Sequence, residues 1–201
     1  APQTRLFELA KGLLKRGYAD AVDVLTAFPN YPTGKIFPGY KLRLFMREKM
    51  EGLNIIRTWI YPSHGKNFLK RILNYISFMK SSFIFGMLLL GKYDFIVCES
   101  PPLFLGISAY LLSIFKRAKM ILYVSDLWPD SAVALGVLKN KFIISLSKKL
   151  ELFLYKKSYK ISVVTHGLKR ILDRKYNLKN KTNVVTNGVD TKLFKPIKQN
   201  I

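Results

Sequence analysis

Apolar residues recur at helix or strand periods along nearly the whole chain. In Thr4–Arg16 the residues Leu6, Leu9, Ala10, Leu13 and Leu14 fall three or four apart, which predicts an amphipathic helix stopped by Gly17. Six short runs are instead almost continuous in β-branched and aromatic residues: Ala21–Thr26, Asn54–Tyr61, Tyr93–Glu99, Lys119–Ser125, Lys160–Thr165 and Asn183–Thr186. Strands buried on both faces carry this pattern, and helical segments separate four of the runs, so parallel β-α-β units are predicted. The exception is Leu42–Arg47 and Leu53–Tyr61, which flank Glu51-Gly52 with no helix between them and predict a hairpin.

The pattern therefore predicts an α/β fold: one open, Rossmann-like, mostly parallel sheet with helices on both faces. A helix that feeds the strand Ala21–Thr26 normally follows an earlier strand. The expected organisation is thus a Rossmann-like domain over residues 1–190 whose first strand is missing, followed by a basic, Pro196-containing inter-domain linker over 191–201. Ile72–Leu90 is the longest apolar stretch, but Lys80 falls four residues after Ile76 on its apolar stripe, so a spanning helix is not expected. Leu103–Phe115 holds thirteen uncharged residues, too few to cross a bilayer, and reads as a buried core helix.

Composition adds one strong constraint. Thirty-four Lys and Arg against twelve Asp and Glu give a net charge of +22 over 201 residues, which calls for an anionic partner: nucleic acid, an acidic membrane surface or phosphorylated ligands. From Ser63 to Lys92 five basic residues and no acid are interleaved with Phe68, Tyr75, Phe78, Phe83 and Phe85, as on surfaces that rest on anionic lipid. A second basic block runs from Lys139 to Lys181; a merely solvated lysine coat is the alternative for both. A single cysteine, Cys98, excludes an intrachain disulfide framework and a Cys-based zinc cluster, and the two histidines, His64 and His166, leave little else to ligate a metal.

In open parallel sheets ligands bind outside the carboxyl ends of the strands, so the segments after each strand are where function is expected. Phe28–Tyr40 is a thirteen-residue loop with three prolines and two glycines, stiff yet open to close backbone approach, or simply an ordered surface loop. Glu99-Ser100-Pro101-Pro102 holds a carboxylate and a hydroxyl at a proline stop, or is only a stiff helix entry. Asp126 stands at the end of a central strand, where an anion is costly unless it binds something or is satisfied by backbone amides. Asp130 and Ser131 read as the cap of the next helix, and Trp128 either stacks on a sugar or base face or is plain core.

Taken in order, Thr4–Ala10 (TRLFELA), Leu25–Gly34 (LTAFPNYPTG), Pro38–Tyr40, Glu99–Gly106 (ESPPLFLG), Asp126–Ser131 (DLWPDS), Glu151–Tyr155 (ELFLY) and Asn187–Pro196 (NGVDTKLFKP) resemble the N-terminal half of a family-4 retaining glycosyltransferase of the GT-B fold. The resemblance is to the branch that builds bacterial O-antigen and capsule chains. It implies two Rossmann-like domains facing across a cleft, the N-terminal one holding the acceptor and the C-terminal one the nucleotide-sugar. The family's paired donor-binding glutamates, its diphosphate-contacting basic residue and its first glycine-rich turn have no match here. Tyr18–Asp23 replaces the family's usual Gly-His-Glu-Val, and Ser125 stands where relatives often carry Arg or His.

On that resemblance Asp126 is expected to orient or deprotonate the acceptor hydroxyl without acting as a covalent nucleophile, with Glu99 as the second candidate. Asn30, Tyr31, Gly34, Lys35 and Ser100 would line the acceptor mouth, with Trp128 as a stacking wall. Asn187, Gly188 and Asp190 would form the inter-domain hinge, Gly188 by permitting a positive φ. Arg5 and His166 are possible phosphate contacts, their alternatives being a solvated surface charge and a helix-capping imidazole. No metal or other cofactor is expected, a nucleotide-sugar being the donor substrate. The expected partners are a lipid-diphosphate-linked sugar acceptor and an anionic membrane surface, with no nucleic acid, and the expected place is the cytoplasm, peripheral on the inner face of a bacterial plasma membrane. The chain alone is expected to transfer no sugar. The competing reading is a non-catalytic, basic Rossmann-like module that binds nucleic acid or a protein partner.

Overall fold

The computed structural model describes residues 2–63 and 68–188. His64, Asp190 and the expected linker over 191–201 lie outside the described residues. The elements, in chain order, are α1 (Pro2–Lys15), β1 (Asp23–Ala27), β2 (Phe45–Met50), β3 (Leu53–Thr58), α2 (Phe68–Leu89), β4 (Phe95–Ser100), α3 (Leu105–Phe115), β5 (Lys119–Val124), α4 (Asp130–Ala134), α5 (Lys141–Lys157), β6 (Lys160–Val163), α6 (His166–Tyr176) and β7 (Thr182–Val184). Every strand run and both apolar helices predicted from the sequence are present, with ends moved by a few residues.

The predicted hairpin is β2–β3, antiparallel with Met50 opposite Leu53. Its turn uses Glu51 at φ 48 and Gly52 at φ 88, two positive values in succession, which match the twist of the flanking strands. The first hairpin strand begins three residues later than Leu42 and runs directly into that turn, because ladder bonds propagate outward from it.

The single open sheet expected from the sequence is not formed. Among the described residues β1-β3-β2 and β4-β5-β6-β7 are two separate hydrogen-bonded sheets. The reason is local: β1 pairs in parallel only with β3, and β4 in parallel only with β5, so the ladder is interrupted between β1 and β4. In the larger sheet all four strands are parallel, with Cys98 beside Leu122 and Leu122 beside Ile161.

Alternation of side chains along each strand distributes the helices. Leu53 and Ile55 of β3 face Ala10, Phe7 and Leu14 of α1, whereas Thr58, on the opposite face, bonds Ser81 of α2 at 3.1 Å. Helices thus cover both faces of the first sheet. In the second sheet Cys98, Met120, Leu122, Val124, Ile161 and Val163 form one apolar core with Ala109 of α3, Leu154 and Tyr155 of α5 and Leu172 of α6. Burying these side chains is the main source of stability, at about 1.5–3 kcal/mol for each large one.

Two polar devices tie the layers. Ser82 of α2 donates to Ser108 of α3 at 2.9 Å, inside the helix–helix contact. Glu151, only 1% exposed, accepts from Tyr155 at 2.8 Å and from Tyr176 at 2.7 Å, which joins α5 to α6. Asp130, expected to cap a helix, makes no such bond; it stands inside α4's first turn and pairs with Lys148 at 3.2 Å and Lys175 at 2.5 Å.

Candidate functional site

The carboxyl ends of β1, β4 and β5 deliver the loop after Ala27, the Glu99–Pro102 segment and the Ser125–Asp130 segment to one edge of the molecule. The loop after β1 is anchored by Phe28, which is fully buried and meets the Tyr40 ring edge-on at 6.4 Å between centroids. Tyr40 in turn lies under the Arg57 guanidinium, which pairs with Glu48 at 2.6 Å. Within the loop the Asn30 side chain donates to the Phe28 carbonyl at 2.9 Å, and the Gly34 amide donates to the Asn30 carbonyl at 2.6 Å. Gly34 needs its φ of 72 for that turn and is buried, whereas Tyr31 and Lys35 are exposed. Asn30 and Gly34 therefore hold the loop's shape, and Tyr31 and Lys35 are its free surface.

At the end of β4 the chain turns through cis bonds at Ser100-Pro101 and Pro101-Pro102. Ser100 is buried, and its carbonyl accepts the Ser125 amide at 3.0 Å, which fastens the two segments together. Trp128 comes to rest against this turn. With Pro101, Pro102, Leu103, Phe104 and Tyr75 of α2 it lines a cavity of about 40 Å³, room for no more than ordered water. Tyr75, read from the sequence only as part of a lipid-facing stretch, and Phe104, read only as part of a motif, were not among the candidate site residues because nothing local shows that they meet Trp128. A larger cavity of about 470 Å³ lies between α5 and α6 and is lined by four lysines together with Ile144, Leu152 and Tyr176. It contains none of the candidate residues, and the chemistry points to the strand edge instead.

Asp126 is exposed, and no hydrogen bond or ion pair among the described contacts engages it. A buried carboxylate satisfied by backbone amides is thereby excluded. An exposed carboxylate with no partner among the described contacts can accept a hydrogen bond from a hydroxyl.

Glu99 and Arg5, ninety-four residues apart, form an ion pair, with side-chain exposures of 17% and 26%. Arg5 also lies 5.2 Å above the centre of the Tyr123 ring, so it is neither solvated nor free for phosphate without rearrangement. The Tyr123 hydroxyl donates to Asn187 at 3.0 Å and holds the start of the expected hinge against the sheet. Gly188 does not adopt the left-handed backbone that its expected role invoked. His166 is the exposed first residue of α6, and the cap is Thr165, whose hydroxyl accepts the Leu168 amide at 3.1 Å.

Burial raises the Glu99 carboxyl above its ordinary range, against the opposing pull of Arg5. Because the folded value lies above the unfolded one, this group's stabilising contribution is complete below the unfolded value and is lost as pH rises through the folded one. Glu99→Gln keeps an acceptor for Arg5 and removes the titration. Melting curves are therefore expected to move in the variant's favour, relative to the parent, as pH is raised from 4 to 7; a constant gap would show an ordinary exposed carboxylate. Directly beneath, the buried Cys98 thiol is pushed up to about 12 and is chemically inert at neutral pH. Among the described residues no group of three or more His, Cys, Asp or Glu is placed to hold a metal ion.

The four-stranded parallel sheet flanked by helices defines the class as a Rossmann-like α/β domain. Its particular lineage follows from comparison: the sequence model of Glycosyltransferase Family 4 matches residues 3–193, and the chain belongs to that family. No curated protein matches it.

Proposed function

We propose that the chain is the acceptor-binding part of a glycosyltransferase that moves a hexosyl or N-acetylhexosaminyl group from a nucleotide-sugar to a lipid-diphosphate-linked saccharide. The product is a bacterial surface polysaccharide of the O-antigen or capsule kind, built at the inner face of the plasma membrane. The observation that carries this reading is the double role of α2. Its Tyr75 walls the Trp128 cavity, while its outer side carries exposed Leu69, Leu73, Ile84 and Leu88 (51–71% exposed) around Lys80. Leu69–Leu89 is long and apolar enough to cross a bilayer by length and composition, yet only 17% of its most apolar window is buried. Packed against α3 and tied by Ser81 and Ser82, such a helix lies along a membrane surface and brings the cavity to a lipid-linked sugar.

In this reading Asp126 accepts the hydrogen bond, and in the transition state the proton, of the attacking acceptor hydroxyl. Trp128 and Tyr75 orient the sugar, with Tyr31 and Lys35 closing the far side of the mouth. Glu99 holds Arg5 at the edge where a diphosphate would approach. Leaving-group stabilisation comes from the donor side, which the family resemblance assigns to a second domain. The test uses Trp128 as sole reporter in a Trp59→Phe background, the chain having two tryptophans. Titration with a polyprenyl-diphosphate-linked N-acetylhexosamine in detergent is expected to change its fluorescence saturably. Trp128 emission that is indifferent to this ligand, with melting unchanged, contradicts acceptor stacking.

A further inference from the structure

We propose that the cleft between α5 and α6 seats the phosphate head of one anionic membrane phospholipid, which makes α5 a second membrane contact beside α2; this rests on the membrane reading above. The cleft, of about 470 Å³, carries Lys141, Lys148, Lys149 and Lys175 around a floor of Ile144, Leu152 and the Tyr176 ring. Four ammonium groups in one cavity call for an anion. Asp130 answers two of them, Lys148 at 3.2 Å and Lys175 at 2.5 Å. Glu151, the other carboxylate close by, is buried and already accepts from Tyr155 and Tyr176. No hydrogen bond or ion pair among the described contacts engages Lys141 or Lys149.

The floor distinguishes a lipid from a free phosphate. A bare ion would leave Ile144, Leu152 and the Tyr176 face wet, whereas the glycerol and first methylenes of a phospholipid cover them. Beside the cleft α5 exposes Phe142 and Leu146, 76% and 58% accessible and one helical turn apart. Phe142 is held there and not frayed, because Asn140 caps the helix by accepting the Phe142 amide at 3.0 Å and the Ile143 amide at 3.2 Å. A phenylalanine and a leucine held out in water among lysines are the pattern of an interfacial helix.

The fold turns this surface the same way as α2. Because β4, β5, β6 and β7 lie in chain order, right-handed crossovers put α3, α5 and α6 on one face of their sheet. On that face α2 packs against α3 through the Ser82–Ser108 bond, and α3 against α5, with the Tyr110 and Phe153 rings edge-on at 5.0 Å. The four helices form one layer. Leu73 and Leu88 of α2 therefore look out on the same side as Phe142 and Leu146.

The probe is dihexanoyl phosphatidylglycerol below its micellar concentration, followed through the amide chemical shifts of the isotope-labelled chain, with dihexanoyl phosphatidylcholine and inorganic phosphate as controls. Saturable shifts at Ser145–Leu152, Lys175 and Tyr176 are expected with phosphatidylglycerol only. Lys141→Gln with Lys149→Gln is expected to weaken this binding roughly 25-fold, about fivefold for each lysine. Lys156→Gln with Lys157→Gln removes the same charge from the last turn of α5, more than a Debye length along the helix from Lys148, and is expected to weaken it less than about threefold. Leu73→Asp with Leu88→Asp should leave it unchanged, since a soluble lipid needs no bilayer; failure of the α2 reading would thus appear in vesicle binding and not here. Equal shifts with phosphatidylcholine or inorganic phosphate, shifts scattered away from α5 and α6, or equal weakening by the two lysine pairs overturns the lipid site. Vesicle binding undiminished by Lys141→Gln with Lys149→Gln overturns α5 as a membrane contact.

Discussion

Asp126→Asn is expected to lower kcat of the active transferase at least about tenfold, the loss that follows removal of a positioned acid–base group, while the melting temperature stays within error. The two halves of this expectation come from the same observation. Asp126 is exposed and unpartnered, so the fold spends nothing on its charge and loses nothing with it. It stands at the carboxyl end of β5, two residues before Trp128, and in the proposed function it is the carboxylate that receives the acceptor hydroxyl. Amide for carboxylate preserves size and hydrogen-bond acceptance and removes only basicity. Unchanged turnover would take Asp126 out of the mechanism, and a loss of turnover with a falling melting point would assign it to the fold.

Leu73→Asp combined with Leu88→Asp is expected to weaken binding to vesicles of phosphatidylglycerol and phosphatidylethanolamine at least about 100-fold. Burial of a leucine contributes about 1.5–3 kcal/mol when complete, and two charges placed on the apolar stripe remove that gain twice. Both positions are more than half exposed, so thermal stability should change little beside the loss of vesicle binding. Raising salt should weaken the parent's binding as well, because the flanking lysines and arginines act over about a Debye length. Equal vesicle binding by parent and variant would separate the membrane from α2 and leave the exposed stripe unexplained.

Local chemistry was legible from the sequence where one segment decides its own shape. The hairpin follows from Glu51-Gly52 between two apolar runs and the strands from β-branched content, whereas the cap of α6 is Thr165 and not His166, the capping residue the sequence suggested. What depends on distant partners was not legible. Arg5 and Glu99 were separate candidates, and nothing in either neighbourhood announces that they pair. Asp130 looked like a cap because its local sequence permits one, but Lys148 and Lys175 offer a better electrostatic partner, and its carboxyl is held below the usual range by Lys175 first of all. The split between the two sheets was invisible for a different reason: each strand's periodicity reports its burial and says nothing of which edge is paired. Tyr75 reaches the candidate site only because α2 folds back over Pro101 and Pro102.

The central claim is that this domain reads the acceptor and leaves the donor to another part of the enzyme, and calorimetric titration of the chain with the two ligand classes tests it most directly. A polyprenyl-diphosphate-linked N-acetylhexosamine in detergent is expected to bind saturably, at least about tenfold more weakly to Trp128→Ala, while uridine- and guanosine-diphosphate sugars produce no saturable heat. Saturable binding of a nucleotide-sugar with none of the lipid-linked saccharide would contradict the account.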